Sequence, residues 1–345
     1  MFVLLSILIA GACKKDPPMS GASGDNLLDF KITGELYDAQ FSAVSDTILV
    51  VIPNALEKTG LTLNFSLSPQ ATATIGGAGV SSGGTINANS LLNFKITSGD
   101  HKNTAKWIIK VQSDLEEYGL GSILDSEKSL DKDYDFYFDQ MDGSTYQAVN
   151  CGPTVTTMAL KWADSTYALK PADARSTIPE DGGWWYTSDV SNYLNTYHIS
   201  NAYVAFTNAT ADNVIVNSIN NDNLVILCLD MYYDPFNPSL SQRTNKFYTT
   251  GNTGWGHFLL VKGYKKVDNK LYYDIYDPNS GGRRYALGNT LKGQDRFYLN
   301  SGIIAATAVW WPYAIIVAPK GQQVVSSTRL QVNSLQGPVP VAKGQ

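Results

Sequence analysis

From Leu28 to Val111 the apolar residues of this chain fall on alternate positions: Leu28, Phe30 and Ile32, then Leu61, Leu63, Phe65 and Leu67, then Phe94 and Ile96, then Trp107, Ile109 and Val111. Period two puts all of them on one face of extended strands, and the Gly-, Asn- and Ser-rich runs between them reverse the chain. The pattern predicts a small all-β sandwich over residues 25–112. The segment TIGGAGVSSGGT lacks the Lys-Ser/Thr pair of a phosphate-binding loop and is expected to link strands.

The period then changes. A charged stretch, SDLEEYG, follows the last alternating run, and aromatic residues become frequent from Tyr134 onward. These shifts place a linker at residues 113–133, a second domain at 134–320 and a polar tail at 321–345 that is expected to fray. Asp131, Asp133, Asp135, Asp139 and Asp142 have calcium-loop-like spacing, but Phe136 stands where such a loop needs Gly. The alternation of Tyr134, Phe136 and Phe138 predicts a strand with a solvated acidic face. Gly302–Ala318 is uncharged, yet Pro312 interrupts it and Ile, Val and Trp abound, so two buried strands are expected there rather than a membrane span.

Within the second domain, Val155, Met158, Ala159 and Trp162 recur at i, i+3, i+4 and i+7, one face of a helix with Pro153 in its first turn. Cys151 therefore sits at a helix N-terminus. A free thiol titrates near pH ~8.5 and is mostly protonated at neutrality, whereas a helix N-terminus or a nearby imidazolium lowers that value. The alternative is a buried, inert small side chain.

The chain has three histidines to serve as a base. His101 falls in a turn and is expected to be solvated. His198 ends the helical face of Val190, Tyr193, Leu194 and Tyr197, where a histidine complements the helix dipole. His257 opens an apolar strand bounded by glycines, which leaves one ring edge toward a cleft. A hairpin around Val267 to Lys270 would bring Asp277, at the end of the next strand, against that ring and fix its tautomer. Asn279 is a possible substitute for Asp277. Cys228 is flanked by apolar residues and reads as a core thiol, although a Cys151–Cys228 disulfide, which would abolish thiol chemistry, has to be considered. Trp184-Trp185 and Trp310-Trp311 read as core or cleft wall.

The order Gln, then CGPTVTTMALKW, NLVILCLDM, GHFLLVKGY and YYDIYDP, from about Tyr134 to Pro319, resembles papain-like cysteine peptidases of the bacteriocin-leader-processing type. The resemblance implies an α+β papain-like fold, an acyl-enzyme on Cys151, general base and acid duty for His257 and orientation by Asp277. It also implies a glutamine in the oxyanion hole, for which Gln140 is preferred and Gln147 is the alternative. The chain carries neither a transporter membrane domain nor a Walker motif, so leader removal is not part of the expectation. The first domain resembles the immunoglobulin-like modules of bacterial surface lipoproteins, which implies a spacer or a binding module.

Residues 1–12 form an apolar run ending in small residues before Cys13, and they resemble a lipoprotein signal. Lipidation of Cys13, a tether at 13–24 and an envelope location, at the outer membrane or cell surface, follow from that resemblance. With a net charge of −5 and no basic block, nucleic acid is excluded as a partner. The dispersed histidines and cysteines offer no metal spacing, and no cofactor is expected. The expected partner is a peptide or protein substrate, with the membrane reached through Cys13. Competing readings are a cell-wall peptide amidase or thiol acyltransferase, and an inert peptidase-like binding or adhesion lipoprotein.

Overall fold

The computed structural model describes residues 22–177, 183–239 and 241–324. The signal segment, Cys13, most of the tether and the tail beyond 324 lie outside the described residues. The chain divides between Asp114 and Leu115 into two compact units.

The first unit is all β, with β1 (Leu27–Ile32), β2 (Gln40–Ser42), β3 (Thr47–Ile52), β4 (Thr59–Leu67), β5 (Thr72–Ile75), β6 (Ala78–Val80), β7 (Gly84–Asn87), β8 (Leu92–Thr97) and β9 (Thr104–Ser113). They form one sheet in the order β1-β4-β7 and a second in the order β2-β3-β9-β8-β5-β6. One core joins the two: Phe30, Ile32, Leu61, Leu63 and Ile86 from the first meet Ile48, Val50, Phe94, Ile96, Ile109 and Val111 from the second. The alternation thus marks the inward face, except at Leu28. A bulge between Leu27 and Asp29 shifts the register there, and Leu28 is exposed while Leu27 packs against the core.

The second unit contains α1 (Asp114–Tyr118), β10 (Leu124–Ser129), α2 (Cys151–Ala163), α3 (Pro171–Thr177), α4 (Thr187–Thr196), β11 (Asn201–Ala205), α5 (Ala211–Asn220), β12 (Leu224–Asp230), β13 (Gly256–Val267), β14 (Lys270–Tyr276), β15 (Arg296–Leu299), α6 (Asn300–Ala308) and β16 (Tyr313–Val317). Its antiparallel sheet runs β11-β16-β12-β13-β14-β15. The long β13 pairs through 256–261 with β12 and through 260–267 with β14, while β10 pairs with residues 263–267. Asp268 and Asn269, both at positive φ, close the β13–β14 hairpin. The mixed α/β content agrees with the α+β expectation.

Four local expectations fail for identifiable reasons. Residues 113–133 are not a linker: β10 completes the sheet, Leu115 and Leu120 are buried with Val267, Tyr272 and Phe297, and the Asp268 carboxylate accepts from Ser122 N–H and Ile123 N–H. The Tyr134–Phe138 run makes no ladder, because its acids serve local backbone donors instead; Asp135 Oδ1 accepts from Tyr137 N–H. Of Gly302–Ala318 only Tyr313–Val317 is strand, since the Ala-rich first half forms α6. His198 lies beyond the end of α4, exposed and at positive φ. His101 is likewise exposed in a turn at positive φ. Among the described residues no helix is long and apolar enough to cross a membrane.

Candidate active site

α2 begins at Cys151 and is buried on nearly every side, not on the one face its apolar spacing marks. Burial of Thr156 and Thr157 is tolerated because Thr156 Oγ1 donates to Gly152 O and Thr157 Oγ1 to Pro153 O, each at 2.8 Å. Asn150, just before the helix, does not cap it. Its side chain instead accepts from Arg175 Nε (2.8 Å) and donates to Ser144 Oγ (3.2 Å). Gly152 is required by Trp185: a Cβ at 152 would stand 2.6 Å from the Trp185 Cβ. Gly256 is required in the same way by Trp310, whose ring carbon Cζ2 lies 2.7 Å from where a Cβ would stand. One tryptophan thus packs directly on the backbone of the helix start and the other on that of the start of β13.

His257 is the second residue of β13 and is buried. Its Nε2 lies 2.8 Å from Asp277 Oδ1, across the hairpin and just past the last rung of β14. The Asp277 side chain is wholly buried, and both of its oxygens are engaged. Oδ1 also accepts from Asn279 N–H (2.9 Å), and Oδ2 accepts from Tyr248 OH (3.0 Å) and Tyr298 OH (2.8 Å). Its backbone is fixed as well, with N–H donating to Gly293 O (2.8 Å) and C=O accepting from Tyr137 OH (2.9 Å). Asn279, considered above as a substitute for Asp277, contributes its backbone here.

The electrostatics follow from this enclosure. Burial pushes the Asp277 carboxyl up, but the His257 charge and hydrogen bond, then the Asn279 N–H and Tyr298 OH, outweigh it and hold the group below its ordinary value. Burial works against a charged His257 too, yet the Asp277 charge and hydrogen bond, together with the Cys151 sulfur, push the imidazole up to about 10. For Cys151 burial again opposes ionisation. The hydrogen bond and charge of His257, with the N–H groups of Phe258 and Gly152 directed at the sulfur, bring its thiol below the ordinary value. Cys228 goes the other way: burial and then the charge of Cys151 raise it well above the ordinary value, against a hydrogen bond from Trp310. Both are free thiols.

The two candidate glutamines differ in what their side chains bond. Gln140 is buried, its N–H donates to Pro278 O (2.7 Å), and its Nε2 donates to Gln147 O (3.0 Å) in the turn that leads into Cys151. Its Oε1 is buried without a partner. The side chain of Gln147 is occupied locally, with Oε1 accepting from Gly143 N–H (3.1 Å). Sequence reasoning brought Cys151, His257 and Asp277 to one place but missed Tyr137, Tyr248 and Tyr298, whose spacing carries no signal. Among the described residues no group of three or more His, Cys, Asp or Glu side chains could hold a metal ion.

The second unit is thus an α+β domain with a buried Cys-His-Asp arrangement. Residues 133–302, just under half of the chain, match the model of the Peptidase_C39 like family, which supports a C39-like peptidase family for this unit. No curated protein matches. Among solved structures, a Bacillus anthracis protein provisionally assigned as a C39-like peptidase shares 13% identity, with 57% of this chain and 100% of that one covered and a TM-score of 0.32. A provisionally assigned secreted protein of Bacteroides fragilis shares 10% (27% and 97% covered, TM-score 0.22). A provisionally assigned glycoside hydrolase of Bacteroides thetaiotaomicron shares 11% (88% and 90% covered, TM-score 0.23). At these scores the structural likenesses carry no argument.

Proposed function

We propose that the second unit is a cysteine peptidase that hydrolyses peptide bonds. The observation that carries the reading is geometric: Cys151, buried at the start of α2, is hydrogen-bonded to His257, whose Nε2 is held by the buried Asp277 at 2.8 Å, and this enclosure lowers the thiol while it raises the imidazole to about 10. That is the ground state of a thiolate–imidazolium pair. The Cys151 sulfur attacks the substrate carbonyl carbon, and the oxyanion is met by the backbone N–H of Cys151 and by Gln140 Nε2. His257 gives its proton to the leaving amine, leaving a thioester on Cys151. It then takes a proton from the attacking water, and collapse of the second tetrahedral intermediate releases the acid and restores the thiolate.

Substrate preference follows from the rim. β12 ends and β13 begins on the paired residues Asp230 and Gly256, so the segments after and before them flank His257. Tyr232, Tyr233 and Trp255 are exposed there. Asp230 ties the two segments together, accepting from Tyr232 N–H (3.0 Å) and Gly254 N–H (2.7 Å). An apolar substrate side chain next to the scissile bond fits this rim.

The same proposal includes an immunoglobulin-like spacer in the first unit and an envelope location through a lipid on Cys13. One experiment addresses the chemistry and the anchor. Full-length protein extracted from bacterial membranes is treated with a thiol-directed epoxide and mapped by mass spectrometry, wild type beside His257→Ala. Adducts on Cys151 in preference to Cys228, lost in the variant, are expected, together with a diacylglyceryl mass on Cys13. Equal labelling of both thiols, or labelling indifferent to His257, would leave an inert binding lipoprotein.

A further inference from the structure

Near Asp277 two buried cations keep N–H groups without hydrogen-bond partners. Lys292 is wholly buried, and its Nζ has no hydrogen-bond partner. Arg296 is wholly buried too. Its Nη1 donates to Gln242 O (3.1 Å) and Tyr285 OH (2.7 Å), but Nε and Nη2 have no partner. The two cations surround the same pair of rings. Lys292 Nζ lies 5.6 Å from the centroids of both Phe247 and Tyr285, and the Arg296 guanidinium carbon lies 5.1 Å and 5.9 Å from them. Arg283 adds a third charge 6.0 Å from the Phe247 ring.

Ring faces offset only a small part of the cost of desolvating an ammonium. Carboxylates answer only part of the rest. The Asp277 and Asp234 charges act on Arg296 from a distance, but no hydrogen bond joins either one to it: Asp277 Oδ1 and Oδ2 are taken by His257 and the two tyrosines, and the Asp234 carboxyl, raised to about 7 by burial, is answered first by Lys246. The charges acting on Lys292 are those of Arg296 and Arg283, both repulsive. A buried donor left open is costly, more so when charged, and folded proteins close such sets with a partner.

We propose that a small inorganic anion of chloride size binds between Lys292 Nζ and the Nε and Nη2 groups of Arg296, framed by Phe247 and Tyr285. Full burial of both cations leaves no open surface for a larger ligand. The anion would also brace the general-acid side of the site. Lys292 O accepts from Tyr285 OH (3.0 Å), and the next residue, Gly293, holds the Asp277 N–H. The inference stands on these residues alone and does not require the chain to be a peptidase.

Bromide is the probe. Crystals of the full chain grown in sodium bromide should show an anomalous peak between Lys292 and Arg296. In solution, at ionic strength held constant with gluconate, each tenfold rise in chloride above its dissociation constant should raise Tm by roughly 3–6 °C. Lys292→Met, which keeps the stem and removes the charge, should lose both the peak and the chloride dependence while remaining folded without chloride. Lys292→Arg should retain the chloride dependence, which separates charge from packing. Absence of the bromide peak, or the same chloride response in wild type and Lys292→Met, would overturn the proposal and leave Lys292 as a neutral amine packed on rings.

Discussion

At Asp277 one carboxylate decides the charge of two other groups. Its charge is the leading cause that raises His257, and the charged imidazole in turn lowers Cys151. Because the imidazole is displaced upward to about 10, imidazolium persists up to that pH and is lost above it; because the thiol is displaced downward, thiolate is present from below its ordinary value. The expected profile of kcat/KM is therefore a broad bell whose acid limb reports Cys151 and whose basic limb reports His257. Asp277→Asn removes the leading upward influence on His257, so the basic limb should move to lower pH. The thiol loses part of its partner's charge, so the acid limb should move up, and the peak should fall by roughly 10²-fold or more. An unmoved basic limb in rates measured on a peptide substrate would show that Asp277 does not tune the imidazole. That His257 and Asp277 meet was legible in the sequence, since a hairpin of antiparallel strands returns one end beside the other. The tyrosines that fill the remaining acceptor sites of Asp277 were not, because a hydroxyl donor reaching a carboxylate from 21 or 29 residues away needs no particular spacing.

The elements that carry these residues differ in how openly the sequence announced them. α2 was legible from its first turn, where Pro153 and the i, i+3, i+4, i+7 series coincide, yet that series under-reports its burial because Thr154, Thr156 and Thr157 are also inside. Polar threonines look like a solvent face until the hydroxyls of Thr156 and Thr157 are seen to bond the preceding turn, while Thr154 Oγ1 is buried without a partner. The sequence of α6 reads as strand for the complementary reason: a wholly apolar run has no period, and only the alanines favour helix. Between α2 and β13 the decisive contact is the one glycines permit. In Gly152→Ala the new methyl meets the Trp185 Cβ, an atom with no side-chain freedom to give, so the helix start that carries Cys151 must shift away from Trp185 and out of its register with His257. A displacement near 1 Å at a nucleophile costs on the order of 10²-fold in rate. We expect that loss in kcat/KM and in epoxide labelling, while a core built around the rest of α2 keeps the fold. Full labelling at the wild-type rate would mean that Trp185 rather than Cys151 yields.

For the molecule as a whole, the boundary between the units is where sequence and structure part most clearly. A change in composition near Tyr134 is real, but composition reports which residues a domain favours, not where its backbone pairing ends. β10 has a polar sequence, LDSEKS, because one edge of it faces water, and its membership of the sheet is set by the free length of β13 beyond β12. The family match, which begins at residue 133, omits it as well. Two truncations separate the possibilities. A chain that starts at Leu115 keeps Leu115 and Leu120 against Val267, Tyr272 and Phe297, keeps β10 on β13, and keeps Leu130 O as the acceptor for Trp162 Nε1 (2.8 Å). One that starts at Tyr134 loses all of these; the two leucines alone are worth about 2 kcal/mol or more each, against a typical total of ~5–15 kcal/mol. The longer fragment should unfold in a single cooperative transition in urea and label at Cys151 like the full chain. The shorter should show a midpoint lowered so far that little native protein remains at 37 °C. Equal midpoints for the two would return residues 115–133 to the role of a linker.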